Sequence, residues 1–259
     1  MFKVAIDDGH GMNTAGKRTP TFPDGSIMKE NEFNRRVAHL LAVHLVRCGI
    51  DVLMVAPGDV DTPLSKRTEA ANKAKVDLYI SIHANAMTGS WGAARGIETY
   101  HYTQASPDSK RAARIIHKHL IAGTRLSDRG VKSADFYVLR ETAMPAVLVE
   151  CGFMDNLEEA KLLLTEAYRA ECAEELARGV CEYLGVTFVQ ENARPSNPAP
   201  NNYPEVQGVV NLVVNGNDTG EGYIINGFTY VPVRTIGEAL NMEVNWDGTT
   251  KTVRLKQND

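Results

Sequence analysis

The chain has 259 residues, 43% hydrophobic and 23% charged, with a formal net charge of −4. That is ordinary globular composition, long enough for one α/β domain of about 100–200 residues plus a smaller module. The acidic balance argues against nucleic acid or an anionic membrane held through a basic surface, and no apolar run approaches the roughly 20 residues of a membrane helix. Cys48, Cys151, Cys172 and Cys181 lack paired spacing and read as buried small side chains, not a disulfide framework. Residues 1–6 run straight into a strand with no leader-like apolar stretch, so the expectation is a protein that starts in the cytoplasm.

Strand and helix patterns alternate along the first part of the chain. Residues 2–6 read as a short apolar strand. Residues 30–48 read as an amphipathic helix, with Phe33, Val37, Leu40, Leu41, His44 and Leu45 on one face and Gly49 at its end. A strand at 50–55, a helix at 65–75 and strands at 78–83 and 97–102 follow. Next come a helix at 109–121, strands at 136–139 and 146–150, and helices at 157–164 and 168–184. Alternating βα units with apolar strands predict an α/β fold, a mostly parallel twisted sheet with helices on both faces. Residues 191–204 hold Pro195, Pro198, Pro200 and Pro204 and almost no apolar side chains, the composition of an extended spacer. The expected division is a catalytic domain over 1–188, a Pro/Asn-rich linker over 189–204 and a small α+β module over 205–259. In that module, strands are expected at 209–214, 223–225, 228–233, 243–246 and 252–255, and a helix at 235–240. Asn215-Gly216, Asn226-Gly227 and Asp247-Gly248 are its hairpin turns.

In a parallel sheet, sites form at the carboxyl ends of the strands. His10 follows the first strand between two glycines, His83 ends the strand at 78–83, and Glu150 ends the strand at 146–150. The helix start at residue 30 brings a further acid, Glu30 or Glu32, which spacing alone does not separate. Two imidazoles and one carboxylate bind Zn²⁺ while leaving a coordination position open. An unbound carboxylate beside them serves as general base and then as proton donor to a leaving amine. Glu150 has the weakest structural alternative, because an acid directly after Ala-Val-Leu-Val is expensive to bury without a task. His39, His44 and the 117–119 stretch read as ordinary helix residues, and His101, ending a strand, as a lesser cleft candidate.

At these residues the sequence resembles the zinc-dependent N-acetylmuramoyl-L-alanine amidases of the amidase_3 type. The likeness is carried by Ile6-Asp7-Asp8-Gly9-His10-Gly11, by Glu30 four residues before Asn34, and by Ser81-Ile82-His83-Ala84-Asn85-Ala86. It continues through Gly96-Ile97-Glu98-Thr99-Tyr100, Asp128-Arg129-Gly130-Val131-Lys132 and Pro145-Ala146-Val147-Leu148-Val149-Glu150-Cys151-Gly152-Phe153. The resemblance implies zinc on His10, Glu30 and His83, in preference to Glu32, with Glu150 as catalytic acid/base. It implies peptidoglycan as substrate, cut between the muramic-acid lactyl group and L-alanine. Asp8 departs from the Ala or Pro usual there. A zinc peptidase or deacetylase on another wall substrate, and a non-catalytic wall-binding protein, are the alternatives.

The C-terminal stretch resembles the small domain found at the N-terminus of copper amine oxidases and in wall proteins, through Ile224-Ile225-Asn226-Gly227-Phe228-Thr229-Tyr230-Val231-Pro232-Val233-Arg234 and Val244-Asn245-Trp246-Asp247. It has no histidine or cysteine, so no copper is expected. A cell-wall polymer is its expected partner; Tyr223, Tyr230 and Trp246 could stack on sugar faces, although a core role is the favoured reading for them. This arrangement suits a phage endolysin acting at the bacterial wall; a host autolysin exported by another route, or a prophage copy, fits nearly as well.

Overall fold

The structure is a computed structural model that describes residues 1–190, 206–225, 228–231, 233–247 and 252–258. The expected linker over 191–204, the turn at Asn226-Gly227 and the second half of the turn at Asp247-Gly248 lie outside the described residues. The chain forms two compact units, Met1–Ala193 and Arg194–Asp259.

The first unit contains β1 (Lys3–Asp7), α1 (Glu30–Arg47), β2 (Asp51–Met54), α2 (Leu64–Ala74), β3 (Leu78–Asn85) and β4 (Ile97–Tyr102). It continues with α3 (Pro107–Gly123), β5 (Asp128–Ala134), α4 (Tyr137–Arg140), β6 (Ala146–Phe153), α5 (Leu157–Leu163) and α6 (Glu166–Leu184). Six strands make one sheet in the order β2-β1-β3-β6-β4-β5. The first four are parallel; β4 runs antiparallel to β6, and β5 parallel to β4. The sheet is therefore mostly parallel, as expected.

Its strands are apolar on both sides because helices cover both faces. Phe33, Val37, Leu41 and Leu45 of α1 are fully buried, and α1 and α3 both pack on α6. On the opposite face Ala71 of α2 and Val138 and Leu139 of α4 close over Ala5, Tyr79, Ala146 and Leu148. Two local expectations are corrected. Residues 136–139, expected as a strand, give the single helical turn α4. The edge strand β5 appears where no strand was expected. Phe136-Tyr137-Val138-Leu139 is a short apolar run, which periodicity alone does not assign to strand or helix.

In the second unit β7 (Val206–Val214), β8 (Asn217–Ile225) and β9 (Phe228–Tyr230) form an antiparallel sheet, followed by α7 (Val233–Ala239) and the hairpin β10 (Met242–Asp247) and β11 (Thr252–Gln257). Asn215 and Gly216 have φ of 52° and 81°, both left-handed, as a two-residue type I′ hairpin requires. Val233, expected to end a strand, opens α7 instead. The side chains of Tyr223, Tyr230 and Trp246 lie outside the described residues. Among the described residues no helix is long and apolar enough to cross a membrane.

Candidate active site

The site is assembled on the turn that follows β1. Gly9 and His10 take φ of 39° and 60°, two successive left-handed residues that throw His10 back over the sheet edge. A Cβ on Gly9 would lie 2.5 Å from Cε1 of His83 and 2.8 Å from the Ile82 carbonyl, so only glycine permits this close approach. The first turn of α1 pins the loop. Asn31 Nδ2 donates to the carbonyls of Asp8 and Gly9, both at 2.8 Å, and Asn34 Nδ2 donates to Gly9 O at 3.3 Å and Glu30 Oε1 at 3.2 Å. From the other side, Arg67 pairs with Asp7 and donates through Nη2 to His10 O at 3.2 Å. Arg67 and Asp7 are each 1% exposed. Asp7 Oδ2 also accepts from Tyr79 and Ser81, each at 2.8 Å.

Removing one member of a buried ion pair strands the other, a loss of about 3–5 kcal/mol. Arg67→Ala is expected to lower unfolding stability by that amount, read as a shift of the denaturant midpoint. A shift equivalent to under about 1 kcal/mol, the range of exposed pairs, would show that Asp7 finds other compensation.

The structure brings His10, Glu30 and His83 together. His83 Nδ1 lies 2.8 Å from Glu30 Oε1, and His10 Nε2 lies 3.4 Å from Glu30 Oε2. One donor atom from each of the three residues falls within 4.8 Å of the other two. The two imidazole rings stand edge to face, 4.8 Å apart at an interplanar angle of 82°. Glu32 is directed elsewhere: it accepts from the Lys29 N–H at the start of its own helix, at 3.4 Å. Glu150 on β6 is in register with His83 on β3. Its Oε2 is shut off from solvent and makes no hydrogen bond. A cavity of about 260 Å³ opens over these groups, lined by His10, Lys17, Arg67, His83, Leu148 and Glu150 among others.

The electrostatics follow from this burial. Desolvation pushes the His10 imidazole down to about 4, partly opposed by the Glu30 charge. Burial works against ionising Glu30, but the hydrogen bond and charge of His83, with His10 and Lys17, hold its carboxyl down to about 2. Burial pulls His83 downward, yet the Glu30 bond and charge win and its pKa rises. Desolvation lifts Glu150 to about 8; His83 opposes this, and the charges of Glu30 and Glu98 reinforce it.

Sequence reasoning missed Glu98. It is 2% exposed, pairs in register with Glu150 across β6 and β4, and accepts from Arg129 Nε (2.5 Å), Lys132 Nζ (2.5 Å), Tyr100 OH (2.5 Å) and Asn85 Nδ2 (3.0 Å). Arg67 was missed likewise. The remaining histidines stand apart from this cluster. His101 Nδ1 meets the Tyr102 carbonyl, His117 is buried between Thr99 and Asp128, and His119 bonds Glu182.

Residues 4–182 match the family model of the amidase_3 N-acetylmuramoyl-L-alanine amidases. The chain belongs to that family. Among curated relatives of this amidase, the endolysin of Bacillus phage SPP1 is 32% identical over 228 residues, spanning 86% of this chain and 80% of its own. The sporulation-specific N-acetylmuramoyl-L-alanine amidase of Bacillus subtilis (strain 168) is 34% identical, covering 73% of this chain and 69% of its own. Among solved structures, the N-acetylmuramoyl-L-alanine amidase of Clostridium difficile 630 superposes with a TM-score of 0.66 at 34% identity, over 71% of this amidase and 97% of the other chain. Residues 213–259 match the model of the copper amine oxidase N-terminal domain. The protein is thus a peptidoglycan amidase, in a family that is generally zinc-dependent.

Proposed function

We propose that this amidase cleaves the bond between the lactyl group of N-acetylmuramic acid and L-alanine, with zinc held by His10, Glu30 and His83 and with Glu150 as acid/base. The observation that carries this is the convergence of three donor groups beside a carboxylate oxygen that nothing else engages. The residues fit the ion. Two imidazoles and one carboxylate are a hydrolytic zinc set. His10 Nε2 is buried without a hydrogen-bond partner, a donor with an unfilled role. Ser81 Oγ already donates to Asp7, so it accepts from His83 Nε2 at 3.2 Å, which fixes the ring with Nδ1 toward Glu30.

Bound there, zinc would polarise a carbonyl oxygen and acidify water. The rest of the chemistry belongs to the chain. Glu150 Oε2 takes a proton from the attacking water and delivers it to the alanine nitrogen as the amide breaks. Its burial favours a carboxyl that holds a proton near neutral pH and can give it up again. Gly9 and the Asn31 and Asn34 amides keep His10 in place, and Arg67 holds its carbonyl.

We further propose a catalytic domain over 1–188, a spacer over 189–204 and a wall-associated module over 205–259 that binds a cell-wall polymer. The two compact units and the match over 213–259 support this division. The resulting enzyme is an endolysin- or autolysin-type hydrolase.

The test is digestion of purified cell walls with and without a chelator, followed by mass analysis. The expected products are peptides beginning with alanine and sugars with intact lactyl groups, formed only when metal is present. Cleavage at another bond, or full lysis after the metal is stripped, would overturn the assignment.

A further inference from the structure

Residues three apart on a regular strand face opposite sides of the sheet. Arg129 and Lys132 do not. Between the pairs Ile97↔Asp128 and Thr99↔Val131, β5 carries one residue more than β4, so Arg129 and Gly130 both oppose Glu98. Gly130 takes φ +82°, the left-handed conformation that suits a bulge glycine. The extra residue turns Arg129 and Lys132 onto the same carboxylate, and both donate to Glu98 Oε1. The Glu98 side chain is 3% exposed, while those of Arg129 and Lys132 are 31% and 39% exposed. Two cations on one carboxylate leave a net charge of +1, and their outer surfaces face solvent. The nearby buried acid Glu159 accepts the backbone N–H groups of Gly96 and Phe153, both at 2.8 Å, and feels the charges of both Arg95 and Arg129, so it offsets Arg129 in part and leaves Lys132 as the less compensated cation.

The position of this pair gives it a role. Register places His83, Glu150 and Glu98 side by side across β3, β6 and β4, on one face, with Arg129 and Lys132 beyond them on β5. The candidate metal ligands thus lie on one side of Glu150 and the cations on the other. If Glu150 serves the alanine nitrogen, the departing peptide runs away from His83 and over β4 toward β5. Neighbouring strands are about 4.8 Å apart, and an extended residue spans at most about 3.6 Å. The residue after alanine therefore falls within reach of the two side chains.

We propose that Arg129 and Lys132, gathered on Glu98 by the β5 bulge, form a subsite for a carboxylate on the stem-peptide residue that follows L-alanine. This rests on the reading of Glu150 given above. Glu98 is the positioning residue, aiming two flexible cations that would otherwise diverge.

The test uses the full-length enzyme and two soluble muramoyl dipeptides whose second residue is D-glutamate with its γ-carboxyl capped as the methylamide, one with a free α-carboxylate and the other with an α-carboxamide. The wild type is expected to prefer the carboxylate by about tenfold in kcat/KM, the scale of one charged hydrogen bond. Lys132→Gln is expected to lose most of that preference through KM on the carboxylate substrate, and Lys132→Arg to keep it. Calorimetry with the product dipeptide L-alanyl-D-glutamate should show weaker binding to Lys132→Gln at equal metal content and melting temperature. Equal losses on both substrates, an unchanged preference, or equal dipeptide binding would overturn the subsite. Failure of the wild type to cleave either substrate at the lactyl–alanine bond would sink the Glu150 reading instead, and dipeptide binding would still judge the subsite alone.

Discussion

Glu150→Gln is expected to reduce amidase activity by about 10²–10⁴-fold, the usual contribution of a positioned acid/base, while leaving the bound metal in place. Glutamine keeps the shape of the side chain but takes up no proton at its carbonyl oxygen. Glu150 is also not one of the three donor groups that lie within 4.8 Å of one another. A second readout separates this role from a structural one. In the metal-free protein Glu150 holds its proton up to about 8 against an ordinary value of 4.5. Between those values the folded state binds a proton that the unfolded state has lost, so stability falls as pH rises through the window. The glutamine variant lacks this penalty. Its melting temperature should therefore exceed that of the wild type increasingly from pH 5 to pH 8. Near-normal wall lysis by the variant would remove Glu150 from the mechanism, and parallel melting curves would contradict the burial argument.

His83→Ala is expected to lose both metal and activity. Its imidazole supplies one of the three converging donors and is the hydrogen-bond partner of Glu30 at 2.8 Å. Removing it would leave two of the three proposed ligands, too few to hold zinc against water, and a carboxylate 2% exposed beside the weakly basic His10. The buried Glu30 charge then lacks its main counter-charge, so the variant should also be less stable at neutral pH, by about 3–5 kcal/mol. Elemental analysis decides the first point. A variant that retains a full equivalent of zinc would take His83 out of the ligand set.

The sheet, and the strand ends at which the candidate residues meet, were legible in the sequence because they depend on local pattern. Ala146-Val147-Leu148-Val149 reads as a strand buried on both faces, and an acid or histidine at the end of such a strand stands out. Glu30 and Glu32 were not separable, since both sit in the first turn of one helix. They part only in three dimensions, where Glu30 turns to the histidines and Glu32 to its own N-terminus. Glu98 was invisible for another reason. Between Ile97 and Thr99 it looks like the outward polar position of an alternating strand, and its partners Arg129 and Lys132 arrive from 31 and 34 residues away. They sit on β5, whose sequence DRGVKSA has too little apolar character to announce a strand. Arg67 was hidden likewise, because its partner Asp7 is 60 residues distant.

The clamp that Asn31 and Asn34 place on the carbonyls of Asp8 and Gly9 is built wholly from amides and backbone. None of these bonds runs through a candidate donor atom, so this clamp on the loop is expected to survive removal of the proposed ion. Loading and stripping of the proposed zinc are then expected to be reversible exchanges, decoupled from refolding. A preparation emptied by dialysis should regain its competence on simple titration, and a spectroscopically visible substitute such as cobalt can be introduced without denaturant.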